Sequence, residues 1–147
     1  VAALMSFAQT EAQKRNRTIS LAFNRTNNLE WCVGATLGAS GCDCSEVNPE
    51  SVGFCTIDGT PSSVGSASFK FLSLIEATDR QPDGGNSFIT FDPLRGILQP
   101  PGDMLQFTFE STNGDFQLSL IISPTGLFRI CNPDSEKLVG GYRTCVI

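Results

Sequence analysis

The chain has 147 residues, a length that suits one domain in which roughly two-thirds of the unfolded surface can be buried. Its net charge of −5 and sequence pI of about 4.6 disfavour nucleic-acid binding, because that binding relies on Lys and Arg to neutralise phosphates. The chain has no histidine, the usual general base and commonest metal ligand, so we expect no enzyme, no catalytic residue and no cofactor.

The first predicted element is a helix over residues 2–14, where good helix formers dominate the sequence. Its apolar residues recur at the spacing of one helical face, which we expect to pack on a sheet: Leu4, Phe7, Ala8 and Ala12. Asn16 is the expected end of this helix. We therefore assign residues 1–17 to the end of a helix and residues 18–147 to a β-rich head.

The next segments alternate between apolar and polar residues, which predicts strands over residues 18–23 and 29–36 with a turn between them. Residues 37–65 are rich in Gly, Ser and Cys and have no periodicity. They predict a loop, the cysteine loop, with at most a short strand over residues 52–57.

Further short strands are predicted over residues 68–75, 87–91, 96–98, 105–110, 116–122 and 127–131. Turn-forming sequences separate them, notably DRQPDGGN at residues 79–86 and Pro-Pro-Gly at residues 100–102. Asn113-Gly114 is the strongest hairpin signal in the chain. Many short strands behind one helix predict an α+β fold with antiparallel sheets.

Four segments stand out in chain order. The helix–strand junction reads LMSFAQTEAQKRNRTISL, and Trp31 and Gly34 follow within the second strand. ITFDPLRG spans residues 89–96, and LIISPTGLFRIC spans residues 120–131. Together these motifs resemble those of the GspH/FimT/FimU family of type IV pilin-like proteins, and they cover most of the chain.

The resemblance implies a single pilin-like domain over residues 1–147, in which the C-terminal half of a long N-terminal helix packs on antiparallel sheet. It also implies that about 25 to 30 residues precede Val1, because a membrane-spanning helix needs roughly 20 apolar residues plus a processing site. That helix would anchor the protein in the inner membrane and later pack inside a filament.

By the same resemblance, we expect a non-catalytic, FimU-like minor pilin of a type IV pilus. It would dock with other minor pilins and the major pilin, and so help to prime or cap the filament. Its location would change from the inner membrane and periplasm of a Gram-negative bacterium to the extracellular pilus.

Three other roles remain open at this point. One is a GspH-like pseudopilin of type II secretion, and another is an adhesin that contacts a surface through the cysteine loop. The third is a FimT-like DNA-uptake receptor, whose basic C-terminal segment would correspond to Arg129, Lys137 and Arg143. We favour an ordinary surface loop over DNA binding, because a single phosphate contact contributes little at physiological salt.

Six cysteines in so short a chain indicate an oxidising compartment and disulfide bonds. We favour a bond between Cys131 and Cys145, since it would close a short loop, add roughly 3 kcal/mol, and match the C-terminal disulfide loop of many pilins. The remaining cysteines are Cys32, Cys42, Cys44 and Cys55. Cys42 and Cys44 are too close together to pair easily, so Cys32 would bond to one of them and Cys55 to the other. Their spacing does not fit a four-thiolate zinc site, so no metal is expected.

Overall fold

The computed structural model describes residues 1–77, 87–99 and 104–146 of the chain. The predicted turn at residues 79–86 and the predicted break at residues 100–102 lie outside these ranges. The helix and strands within them are α1 (Ala2–Arg15), β1 (Ile19–Asn27), β2 (Glu30–Leu37), β3 (Thr56–Ile57), β4 (Thr60–Pro61), β5 (Ser63–Gly65), β6 (Leu72–Ala77), β7 (Ser87–Phe91), β8 (Leu98–Gln99), β9 (Leu105–Ser111), β10 (Gln117–Ile122) and β11 (Phe128–Cys131).

The strands form two main sheets and a short ribbon. One sheet has five strands in the order β5-β2-β1-β7-β8, and the other has four in the order β11-β10-β9-β6. Strands β3 and β4 form the ribbon, and every pairing between named strands is antiparallel. This arrangement, with one helix packed on antiparallel sheets, confirms the predicted α+β class.

The helix α1 ends where the sequence predicted. Asn16 adopts a left-handed conformation with φ of 50°, which an asparagine tolerates better than most residues. The backbone N–H of Arg17 then donates to the carbonyl of Ala12 at 3.1 Å, so the last turn is closed before β1 begins.

The buried face of α1 differs from the predicted one. Ala8 and Ala12 are fully buried as expected and Leu4 is partly buried against the core, but Phe7 is 43% exposed and Met5 is buried instead. At about 100° of rotation per residue, Met5, Ala8 and Ala12 cluster on one side, whereas Phe7 lies roughly 120° away from the centre of that side. The buried face of α1 is therefore rotated about the helix axis relative to the predicted one. The prediction for Phe7 was wrong, since it is a surface residue.

The core lies between α1 and the two sheets. α1 packs against β1, β2 and β7. The second sheet contributes Leu105, Phe107 and Ile122, all of which are at most 1% exposed. The rings of Phe23 and Phe107, one from each sheet, have centroids 4.9 Å apart, so aromatic contact joins the two sheets directly.

The cysteine loop is more ordered than its composition predicted. The expectation of an irregular loop over residues 37–65 is corrected, since the segment contains β3, β4 and β5, and β5 pairs with β2. Asp58 and Gly59, both with positive φ, form the two-residue turn between β3 and β4. An Asp-Gly pair between two short β-prone runs is the signal that could have predicted this hairpin.

Candidate interaction surfaces

Two glycines of the sequence motifs, Gly96 and Gly126, lie next to each other beside α1. The Nε2 atom of Gln9 on α1 donates to the carbonyl of Gly96 at 2.7 Å and to the carbonyl of Gly126 at 2.9 Å. A side chain at Gly126 would lie 2.3 Å from the oxygen of Gly96, so the two turns approach too closely for any larger residue. The segments containing residues 89–96 and 120–131 are therefore joined by one helix side chain.

An apolar cleft of about 300 Å³ opens beside the first turn of α1. The residues that shape it come mainly from α1, five strands (β2, β6, β9, β10 and β11), the segment before β6 and the turn before β10. They include Ala2, Trp31, Phe69, Leu72, Phe109, Phe116 and Leu118. None of the described residues that line it has a charged side chain. A surface recess of this composition suits apolar side chains of a partner.

The wall of the apolar cleft is held rigidly. The Trp31 indole N–H donates to the carbonyl of Leu72 at 3.2 Å, and its ring meets that of Phe109 edge-on at 5.1 Å. At the rim, Phe69 is 46% exposed and Phe116 is 51% exposed. Large aromatic side chains that are half-exposed to solvent beside a rigid apolar wall are typical of a contact surface.

One disulfide ties the cysteine loop to β2, and a second joins two parts of the loop to each other. Cys32 is bonded to Cys44, and Cys42 is bonded to Cys55, which is one of the two arrangements that the sequence left open. A Cβ atom at Gly34 would lie 2.4 Å from the sulfur of Cys55, so only glycine lets the loop pack this closely on the strand.

The cysteine loop also forms one wall of a second recess, the polar cup, with a volume of about 530 Å³. Its floor is the outer face of the hairpin β1–β2, including Asn24, Thr26 and Cys32. Further lining residues come from the cysteine loop and from the segment that includes β5, among them Ser45, Glu46, Phe54, Ser63, Gly65 and Ser68. No lysine or arginine is among the described residues of its lining.

The C-terminal segment, residues 132–145, is organised by one buried side chain. Asn132 is 1% exposed, and its Nδ2 atom donates to the carbonyls of Tyr142 at 2.7 Å and Val139 at 3.2 Å. Its Oδ1 atom accepts from the Val139 N–H at 2.8 Å. Cys131 and Cys145 are joined at the two ends of this segment, so it is closed both covalently and by hydrogen bonds.

The three candidate DNA-binding residues differ in what they contact. Lys137 forms an ion pair with Glu110 at 2.7 Å, and Arg129 donates to the carbonyl of Val146 at 2.7 Å. The hydrogen bond from Lys137 lowers the pKa of Glu110, and the same bond raises the pKa of Lys137. Arg143 is exposed in the C-terminal segment. Two of the three charges are thus already engaged within the protein.

A similar ion pair fastens the end of α1. Arg15 donates to Glu11 at 2.5 Å and also pairs with Asp58 of the β3–β4 turn. The hydrogen bond from Arg15 lowers the pKa of Glu11, although that side chain is only 9% exposed. The pair explains how a carboxylate is accommodated among the buried residues of α1.

Within the described ranges, all six cysteines are in disulfides, and no group of three or more potential ligands is placed to hold a metal ion. The same residues include no helix long and apolar enough to cross a membrane. The apolar cleft and the polar cup were not found by sequence reasoning, because each is assembled from segments that are far apart in the chain.

The family model for the type II transport protein GspH matches residues 1–126. Two crystal structures of the type IV minor pilin FimU from Pseudomonas aeruginosa have similar folds. One has a TM-score of 0.51 and 22% identity, and covers 87% of this chain and 84% of FimU. The other has a TM-score of 0.51 and 20% identity, and covers 87% and 80%. No curated protein matches the sequence significantly.

Proposed function

Because the chain belongs to the GspH family, we propose that it is a minor pilin of a type IV pilus that helps to prime or cap filament assembly. The observation that carries this proposal is the apolar cleft, with half-exposed Phe69 and Phe116 at its rim. A subunit that assembles with others must bury apolar surface at its contacts, since this burial is the main source of association free energy.

The occupant that we propose for the apolar cleft is an apolar helix stripe of a neighbouring pilin. The cleft adjoins the first turn of α1 at Val1 and Ala2, so a helix that runs beside α1 could place its side chains there. Because the lining residues have no charged side chains, a partner that enters the cleft would strip water from no charged side chain of this protein. The partners would be other minor pilins and the major pilin.

The proposal includes a change of location. Before assembly the protein would reside at the inner membrane with its head in the periplasm of a Gram-negative bacterium, and after assembly in the extracellular pilus. The three disulfides suit both places, because each is an oxidising environment.

A pull-down with tagged protein from cells that assemble pili tests the proposal. The wild type should retain sibling minor pilins, whereas the Phe69→Gln and Phe116→Gln double variant should retain at least about tenfold less, since hot-spot aromatics dominate such contacts. Leu94→Gln, at a residue that is 78% exposed and does not line the cleft, is the matched control. Equal retention by both variants, with both folded, would reject the cleft as the contact.

A second candidate is a pseudopilin of type II secretion, which the description of the matching family model favours. The same pull-down separates the two roles, because a pseudopilin should retain secretion-system pseudopilins. Deletion of the gene is a second test, since loss of a pseudopilin should leave pilus number unchanged. A minor pilin should retain pilus subunits, and its deletion should lower pilus number.

A further inference from the structure

The polar cup has the form and chemistry of a binding site that the filament role does not require. Its volume of about 530 Å³ is within the usual range for sites that enclose a small molecule. Its wall is held in place by the Cys32–Cys44 disulfide, which ties the cysteine loop to the floor of the cup. The shape is therefore fixed in advance of any ligand.

The polar groups of the cup are mostly neutral hydroxyls. Those of Thr26, Ser63 and Ser68 line it and make no side-chain hydrogen bond with the described part of the chain. A hydroxyl can both donate and accept, so such a wall matches a ligand that itself has many hydroxyls. Beside them, Phe54 and Val64 provide an apolar surface for the C–H face of a ring.

The charges of the cup exclude one ligand class. Glu30 and Glu46 are its charged side chains among the described residues, and no lysine or arginine accompanies them. An anionic ligand would be repelled. Each carboxylate also accepts a hydrogen bond from its own loop, Glu30 from Asn27 at 3.2 Å and Glu46 from the Asn48 N–H at 2.9 Å. The lining hydroxyls outnumber these two carboxylates, so the cup suits a neutral polar ligand better than a cation.

We propose that the polar cup binds a neutral saccharide unit, with the hydroxyls as hydrogen-bonding partners and Phe54 against the sugar ring. Because each hydrogen bond replaces one to water, the affinity for a single disaccharide is modest, in the millimolar range. Repetition of heads on a surface would increase the effective affinity.

The test is a titration of ¹⁵N-labelled protein by NMR with three neutral disaccharides, namely chitobiose, lactose and maltose. At least one should shift the amide signals of Ser45, Gly65 and Ser68 saturably, while a sulfated disaccharide and spermidine should not. Thr26→Arg, which fills the floor of the cup at an exposed position, should weaken binding at least about tenfold.

Thr60→Arg is the matched control, because Thr60 is an exposed strand residue that does not line the cup. It should leave the dissociation constant within about twofold of the wild-type value. Thermal unfolding of both variants verifies that they are folded. Three outcomes would overturn the proposal: no saturable shift with any neutral disaccharide, equal weakening by both variants, or binding of spermidine or the sulfated sugar alone.

Discussion

Gln9 in α1 donates a hydrogen bond of 2.9 Å to the carbonyl of Gly126, which lies 117 residues further along the chain. The same amide also donates to the carbonyl of Gly96, so one side chain bridges two turns. Gln9→Ala should lower the free energy of unfolding by roughly 1–3 kcal/mol, because two carbonyls lose their donor. Urea unfolding measures the effect, and Ser6→Ala, at an exposed position in the same helix, should change it little.

Gly34→Ala should destabilise the protein by roughly 1–3 kcal/mol, the usual cost of overpacking a closely packed site. The new methyl group would lie 2.4 Å from the sulfur of Cys55 and 3.0 Å from the Cβ of Cys44, both of which are fixed by disulfides. Gly140→Ala is the control, since no atom lies within 4 Å of its added Cβ. Equal melting temperatures for the two variants would show that the loop can move away from β2.

Asn132→Ala should lower the free energy of unfolding by roughly 1–3 kcal/mol, since it removes three part-buried hydrogen bonds to the backbone of Val139 and Tyr142. The amide hydrogen of Val139 should also exchange with solvent faster, although the Cys131–Cys145 bond remains. Asn28→Ala, at an exposed turn position, serves as the control. An unchanged exchange rate would mean that the disulfide alone orders the C-terminal segment.

The Glu110–Lys137 pair should make stability depend on pH at both extremes. The pKa of Glu110 is depressed in the folded state, so its contribution is complete above the ordinary value of 4.5 and is lost as the pH falls through the folded pKa. The pKa of Lys137 is raised, so its contribution is complete below the ordinary value of 10.5 and is lost at higher pH.

Urea unfolding of the wild type and of Glu110→Gln, each at pH 7 and pH 3, separates the pH dependence caused by this pair from that caused by the other carboxylates. The wild type should be the more stable protein at pH 7, and the difference should shrink at pH 3, because that pH lies below the ordinary carboxyl pKa of 4.5 at which the unfolded chain takes up a proton. If the stability difference between the two proteins is the same at both pH values, packing of the side chain rather than its charge is the cause.

The head should not retard duplex DNA on a gel at physiological salt. Its net charge is −5, and Lys137 and Arg129 are engaged by Glu110 and the Val146 carbonyl. Arg143→Ala should therefore leave the result unchanged. A shift of the wild type that is lost in Arg143→Ala would instead support a DNA-uptake role.

Local sequence signals predicted the elements whose partners are near in the chain. The helix end at Asn16 and the hairpin at Asn113-Gly114 each depend on a few adjacent residues, and both are found in the structure. The family was also predicted correctly, because its motifs combine local turns with spacing along the chain. Signals of this kind remain visible without knowledge of tertiary contacts.

Features that depend on distant contacts were not predicted. β5 has three residues, and all of them pair with β2. The exposure of Phe7 depends on the rotation of α1 about its axis relative to the sheets. The pairing of Cys32 with Cys44 rather than Cys42 depends on how the loop crosses β2. The two recesses have the same origin, since each joins side chains from several strands.

Residues 45–54 lie between Cys44, which is bonded to Cys32 of β2, and Cys55, which is bonded to Cys42 at the start of the same loop. A segment anchored at both ends can tolerate changes at its exposed positions without changes in the sheets beneath it. The same anchoring makes this segment the natural place to graft a foreign epitope.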